Sequence, residues 1–261
     1  MSLRANLLLS LWLCATPAWA AVDFDGADDS IDFGSAASLD NAFYSVYADF
    51  EVQGTGDTTA QRIFSKGLWH IIYSDADADG SHDLFLDHDC VTTQFQRRGG
   101  AQSINTRYRL VVKWDRSGTA ANAEIYINGA QVSYATTQNC VGGLISDAPE
   151  DLCLGNDSAI PCAETRSFDG LIYEVAFWSI ELTDAEAVAL TQPNRRIRLG
   201  PTQVQPANLI LYSTLDDEEG GSSADADTFF DRSGNGNNGT GADGAGNAGL
   251  TAVSEPQLSY P

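Results

Sequence analysis

The chain has 261 residues, with 14 Lys+Arg against 36 Asp+Glu and a formal charge of −22 at pH 7. That balance excludes a broad electrostatic footprint for nucleic acid or anionic lipid, both of which need clustered positive charge. With 43% hydrophobic, 10% aromatic and 19% charged residues, the chain can bury a real core, and global disorder is excluded.

Residues 1–20 open with Arg4, run through an apolar stretch from Leu7 to Leu13 and close on Ala18-Trp19-Ala20. This is the basic, apolar and small-residue pattern of a secretory signal peptide. The stretch is shorter than the roughly 20 apolar residues that cross a bilayer, and no later one approaches that length. The expectation is an exported protein, secreted or periplasmic, that starts at Ala21 and does not insert in a membrane. Cys14 leaves with the signal, so Cys90, Cys140, Cys153 and Cys162 remain. An even number in an oxidising compartment favours two disulfides over a metal cluster. Four cysteines allow three pairings, and sequence alone does not choose among them. The pairing expected is Cys153–Cys162, which closes a short polar loop, with Cys90–Cys140.

Short alternating runs follow. Residues 29–33 read as a strand, and 44–52 place Val46, Ala48, Phe50 and Val52 on one face with Tyr47, Asp49 and Glu51 on the other. That is the period-2 signature of a half-buried strand, whose second face is read as solvated. Further strands are expected at 61–65, 68–73, 83–87 and 91–96. Between two of them, Asp75, Asp77, Asp79 and Asp83 stand at positions 1, 3, 5 and 9 around Gly80, as in the first part of a calcium loop. Leu86 occupies the place of the bidentate Glu, and the flanks read as strands, so this is no EF-hand. It is either a cation loop or a solvated acidic hairpin.

Residues 107–114 turn Tyr108, Leu110, Val112 and Trp114 inward, and 124–129 end in Asn128-Gly129, a strong hairpin signal. A last long strand covers 168–178. Thr183-Asp184-Ala185-Glu186 forms a capping box that opens one short helix, stopped at Gln192-Pro193. Many short strands at this spacing predict an all-β antiparallel sandwich, a jelly roll, over 21–193. A linker at 194–208 carries the basic cluster Asn194-Arg195-Arg196-Ile197-Arg198, Pro201 and Pro206. The acidic, Gly-rich tail at 209–261 holds one clear strand, 209–215, and irregular backbone is expected over 220–249. It has too few apolar residues for its own core, so it either packs back on the domain or begins a second, truncated module.

Three motifs carry a family resemblance. Val22-Asp23-Phe24-Asp25-Gly26-Ala27-Asp28-Asp29-Ser30-Ile31-Asp32 resembles the opening strand pair of the laminin G-like jelly roll of the concanavalin A-like lectin/glucanase superfamily. The segment from Tyr108 to Asp115, followed by Ile125-Tyr126-Ile127-Asn128-Gly129, is similar to its central hairpin. Phe168-Asp169-Gly170-Leu171-Ile172-Tyr173-Glu174-Val175, with the helix after it, is similar to its closing end. The tail segments 209–217 and 231–240 look like the piece that usually precedes the opening strand, yet here they follow the domain. The resemblance implies a structural Ca²⁺ near the sandwich rim, held by Asp25 with Asp169 or Glu174. Tyr173 departs from the family, standing where an Asp is usual. The alternative is that Asp25-Gly26 and Asp169-Gly170 simply make turns.

The superfamily's glucanases use an E-x-D-x-x-E strand to flank a glycosidic bond with carboxylates. That motif is absent here, as are nucleophile and zinc-protease motifs, so no catalysis is expected. Sugar recognition needs exposed aromatic faces. Trp114 and Trp178 sit at core-like positions, which leaves Tyr47, Trp69 and the adjacent His70 as ligand-binding candidates. Asn156-Asp157-Ser158 and Asn238-Gly239-Thr240 fit the N-glycosylation pattern. The function expected is calcium-assisted binding of carbohydrate or of a cell-surface protein. The alternatives are a structural or adhesive role without sugar binding and, behind it, a glycan-degrading enzyme of the same fold.

Overall fold

Alternation along the chain resolves into two antiparallel sheets packed face to face. The computed structural model describes residues 20–40, 43–54, 60–74, 82–115, 123–157, 162, 166–194, 198–216, 228–242 and 250–254. Residues 1–19 and the loop with Asp75, Asp77 and Asp79 lie outside the described residues. In chain order the strands are β1 (Ala20–Asp25), β2 (Ser30–Asp32), β3 (Phe43–Val52), β4 (Ala60–Lys66), β5 (Trp69–Ser74) and β6 (His82–His88). They continue with β7 (Phe95–Gln102), β8 (Thr106–Asp115), β9 (Glu124–Ile127), β10 (Ala130–Gln131), β11 (Tyr134–Gln138), β12 (Cys153–Leu154) and β13 (Asp169–Trp178). Helix α1 (Asp184–Thr191) follows, then β14 (Leu209–Ser213), β15 (Thr228–Phe229), β16 (Gly239–Ala242) and β17 (Thr251–Ser254).

The first sheet runs β10-β9-β8-β3-β13-β1-β17, with β14 also paired to β13; the second runs β11-β7-β6-β5-β4-β12-β2-β16-β15. Between them lie Val46, Ala48, Phe50, Leu110 and Val112 from one side and Phe64, Ile71, Leu84, Leu86 and Phe95 from the other. Tyr44, Trp69, Trp114 and Phe177 form an aromatic centre, with Trp69 and Trp114 edge to face at 5.2 Å. Trp69 is 0% exposed and its indole N–H donates to Asp147 Oδ2 at 2.8 Å. Its expected place at the surface is therefore corrected. On β5 the inward set is Trp69, Ile71 and Tyr73, and it is His70 that points the other way.

The strand expected at 91–96 begins instead at Phe95 and runs on through Gly99 and Gly100. A Cβ on Gly99 would stand 2.2 Å from the Ser133 carbonyl oxygen, so glycine is what lets β11 approach here. Residues 90–93 make only isolated bridges, to Leu144 and Val141, beside the Cys90–Cys140 disulfide. The second disulfide joins Cys153 to Cys162.

The outer face of the first sheet is covered, not solvated. Tyr47, Val111, Tyr126, Ala176 and Trp178 pack under Leu182, Ala187 and Leu190 of the α1 region and under Val204 and Leu209. The capping box holds α1 in place: the Thr183 amide donates to the Glu186 carboxylate and the Glu186 amide to the Thr183 hydroxyl. Asp49 is buried on this face between Arg107, at 2.6 Å, and Arg109, at 2.9 Å. Glu174 accepts hydrogen bonds from the Tyr47 hydroxyl (2.8 Å), Arg198 Nη1 (2.6 Å) and the Tyr212 hydroxyl (3.1 Å). Burial and the neighbouring carboxylate push both tyrosines above their ordinary range, and the acidic neighbours raise Arg198.

The tail adds strands to both sheets. β14 pairs with β13, β17 with β1, and β16 with β2. Where irregular backbone is expected, residues 231–237 form a clasp. Asp231 accepts from the Tyr212, Ser233 and Asn237 amides, while Asn235 and Asn237 donate to the β14 carbonyls of Leu209 and Ile210. Asx side chains that hydrogen-bond backbone groups in this way are a common loop device. Deleting residues 199–261 is expected to abolish cooperative thermal unfolding, and an unchanged melting temperature would rule the strand assignment out. Arg198→Met, which strands the buried Glu174 carboxylate, should cost about 3–5 kcal/mol in urea unfolding at pH 7.

Candidate functional site

With one outer face covered, the outward face of the second sheet is the candidate surface. The register places Ser65 opposite His70, His70 opposite Asp87 and Asp87 opposite Gln96, with Arg62 opposite Ile72 one row away. The Ser65 hydroxyl donates to Asp157 Oδ1 at 3.1 Å and lies 2.9 Å from His70 Nδ1, an arrangement that places the ring proton on Nδ1. Burial, helped by the Arg62 charge, pushes His70 down to about 3, so the ring is neutral across physiological pH.

Arg62 and Asp87 are each 8% exposed. Arg62 Nε and Nη1 and Asp87 Oδ1 are buried without a hydrogen-bond partner. A buried polar atom left unpaired costs about 1–3 kcal/mol, more for a charged group. Burial pushes the Asp87 carboxyl up to about 7, opposed by Arg62 and reinforced by Asp89 and Asp157. Burial also lowers Arg62, against the pull of Asp157 and Asp87.

The loop beside this row is braced by one side chain. Asn156 is 0% exposed; its amide nitrogen donates to the Asp29 carbonyl and the Ser167 hydroxyl, and its oxygen accepts from the Asp157 and Arg166 amides. Its glycosylation-type pattern is thus a packing feature, since the side chain is fully used inside. The Ser167 hydroxyl donates to the Ala27 carbonyl at 2.6 Å, and the Arg62 amide donates to the Arg166 carbonyl at 2.9 Å. The same brace therefore touches the β1–β2 turn and the polar row.

In that turn the carboxylates of Asp25, Asp28 and Asp29 place ligand oxygens within 4.8 Å of one another. Asp25 Oδ1 accepts from the Ala27 amide, and Asp29 Oδ2 from the Asp25 amide. Asp28 Oδ1 is buried with no hydrogen-bond partner. Three hard oxygen donors, one of them unmatched, fit a hard divalent cation. The grouping of Asp32 with Cys153 and Cys162 does not, because both sulfurs are in the disulfide.

Of the metal candidates, then, Asp25 is in the cluster. Asp169 lies opposite Asp25 in the β1–β13 ladder but packs its carboxylate against Gly54, where an added Cβ would be 1.9 Å from Oδ2. Glu174 is corrected: it sits five residues along β13, about 16 Å away, and is consumed by Tyr47, Arg198 and Tyr212. Asp83 is corrected as well, being paired with Arg98 at 3.0 Å. Tyr47 and Trp69 are buried and offer no aromatic face, while His70 does lie in the polar row. Arg62, Asp87, Asn156 and Asp157 were missed, as was the ligand role open to Asp28 and Asp29. The outward parity of Arg62 and Asp87 on the strands at 61–65 and 83–87 is the signal that could have found two of them.

The model of the concanavalin A-like lectin/glucanases superfamily, in its laminin G-like form, matches residues 25–188, and the chain belongs to that superfamily. No curated protein matches it in sequence. Among solved structures it is similar to a Bacteroides ovatus protein provisionally assigned as carbohydrate-binding, with 17% identity and a TM-score of 0.62 over 92% of this chain and 60% of that one. It is also similar to the heptameric SAP-like pentraxin of Limulus polyphemus, with 14% identity and a TM-score of 0.51 over 70% of this chain and 88% of that one. The chain thus spans about 60% of the length of the Bacteroides protein.

Asn156→Ala should destabilise the protein by about 3 kcal/mol, read from the urea midpoint, because the groups it pairs are left buried and unpaired. A second outcome concerns Asp23, pushed up to about 6 by burial and by Asp169 and Asp25. A carboxyl raised on folding contributes stability that is complete below its unfolded value and lost as pH rises through about 6. Asp23→Asn should therefore leave the melting temperature unchanged near pH 3.5 and raise it by about 2–4 °C at pH 8 in metal-free buffer.

Proposed function

We propose that the protein is an exported, non-catalytic glycan-binding module whose ligand lies on the outward face of the second sheet, with Ca²⁺ seated in the Asp25–Asp29 turn as a structural ion. One observation carries the reading: Arg62 and Asp87, on that face, keep buried polar atoms unpaired, and a hydroxyl-rich ligand supplies the missing donors and acceptors. The resemblance in fold to the Bacteroides ovatus protein supports a carbohydrate ligand. The absent E-x-D-x-x-E strand supports binding without hydrolysis. Two disulfides and the signal-like residues 1–20 support export. In the turn, Asp25, Asp28 and Asp29 would hold the ion, which would neutralise the charge of the three carboxylates. The Asn156 brace then keeps the turn and the Asp157 loop in one arrangement.

The test is a glycan array with the full chain, in millimolar Ca²⁺ and again with chelator. Selective binding that Arg62→Ala weakens at least about tenfold, with the melting temperature unchanged, is the expected result. Absence of binding in both buffers would move the reading to protein adhesion. Ca²⁺ should separately raise the melting temperature of the native chain by several degrees, and Asp28→Asn should remove that gain.

A further inference from the structure

The polar row allows the ligand class to be narrowed, and this step rests on the reading of that face as a glycan site. Arg62 presents donors only; ionised Asp87 presents an acceptor only. A ligand that answers both must offer a donor and an acceptor, which two neighbouring ring hydroxyls do. The charged and titratable groups around the pair come from every element packed there: Arg62 on β4, neutral His70 on β5, Asp89 after β6, and from the braced loop Asp157, with Arg166 acting on Arg62 and His70. With Asp87 ionised, two cations against three carboxyls leave one net negative charge, so the site offers nothing for an anionic ligand to neutralise. An acidic sugar would add a carboxylate beside Asp87 and Asp157, on a chain of net charge −22. An ammonium sugar would set a further cation against the unpaired N–H groups of Arg62.

We propose that Arg62 and Asp87 form a recognition pair for two adjacent hydroxyl groups of an uncharged sugar. Asp87 accepts from one hydroxyl and Arg62 donates to the other, while His70, held by Ser65, stays neutral at the edge of the pair. Because burial pushes the carboxyl up to about 7, protonation replaces the charged acceptor with a weaker neutral one, and the pair is at full strength only on the alkaline side. Affinity therefore rises with pH through about 7.

Isothermal titration calorimetry of the full chain tests this. The probes are the methyl pyranosides of glucose, galactose and mannose, their single-deoxy analogues, methyl glucuronide and glucosamine. At least one uncharged pyranoside should bind about tenfold more tightly than the charged probes, and loss of one of its two adjacent hydroxyls should cost about tenfold. Its affinity should increase about tenfold from pH 6 to pH 8 in the native chain and stay flat in the isosteric Asp87→Asn variant. Thermal melts of that variant and of Arg62→Ala separate loss of binding from loss of fold. Preference for the glucuronide or glucosamine, or a pH slope that survives in Asp87→Asn, would overturn the recognition pair while leaving the glycan reading intact. Absence of saturable binding by any of these sugars, with an empty glycan array, would instead remove the reading on which the pair rests.

Discussion

A single buried carboxylate decides which side of this sandwich is scaffold. Glu174 sits on the outer face of the first sheet, where an unpaired charge would cost several kcal/mol. It is tolerated because three donors reach it, from β3, from β14 and from the segment after α1: Tyr47, Tyr212 and Arg198. Those partners are far apart in sequence, so satisfying the carboxylate requires the chain after α1 to cross this face. Once it does, Val204 and Leu209 complete an apolar cluster with Trp178 and Leu190. The coverage that follows closes this face and leaves the outward row of the second sheet as the candidate surface.

The two faces use the same residue types to opposite ends. Asp49, Arg109 and Glu174 are buried on the scaffold face and ion-paired there, with the half-buried Arg107 and Arg198 as further partners, although Arg109 Nε lies outside hydrogen-bond geometry. Arg62 and Asp87, each 8% exposed, keep three polar atoms without hydrogen-bond partners: Arg62 Nε and Nη1 and Asp87 Oδ1. Folding has no use for such groups, since apolar residues of like size would pack more cheaply. Their retention on an outward face, beside a loop fixed by a fully saturated Asn156, is the observation on which the proposed ligand face rests.

The period-2 pattern made most strands legible, and the capping box did the same for α1. What alternation conveys is parity, the fact that Tyr47 opposes Val46. It does not say whether the second face meets water, and Tyr47 and Asp49 were misread as solvated because their partners are remote in sequence: Arg198 lies 151 positions after Tyr47, and Arg107 lies 58 after Asp49. Trp69 was misplaced for the reverse reason, as its neighbour His70 holds the outward position on β5. Glu174 owes its orientation to the irregularity between Ile172 and Glu174, which shifts parity in mid-strand and leaves no clear trace in composition. Asp28 and Asp29 were visible in the opening motif, but only the folded turn shows that their oxygens converge with those of Asp25.

The order of segments in the tail bears on where the folded unit ends. The family match stops at residue 188, yet the similarity to the Bacteroides structure extends over 92% of the chain. The pieces at 209–217 and 231–240, which resemble what usually precedes the opening strand, become β14 and, in part, β16, beside β13 and β2. Antiparallel pairing fixes positions in space but not order along the chain, provided that the connections reach. Here they do, because β17 pairs with β1 and brings Ser254 opposite Ala20. A piece moved from one end of the sequence to the other can then occupy the same place in the sheets, as circular permutation exploits when chain ends lie close together. A boundary drawn at residue 193 on the strength of the family motifs would cut through both sheets and remove Arg198 from Glu174, the contact that commits the scaffold face.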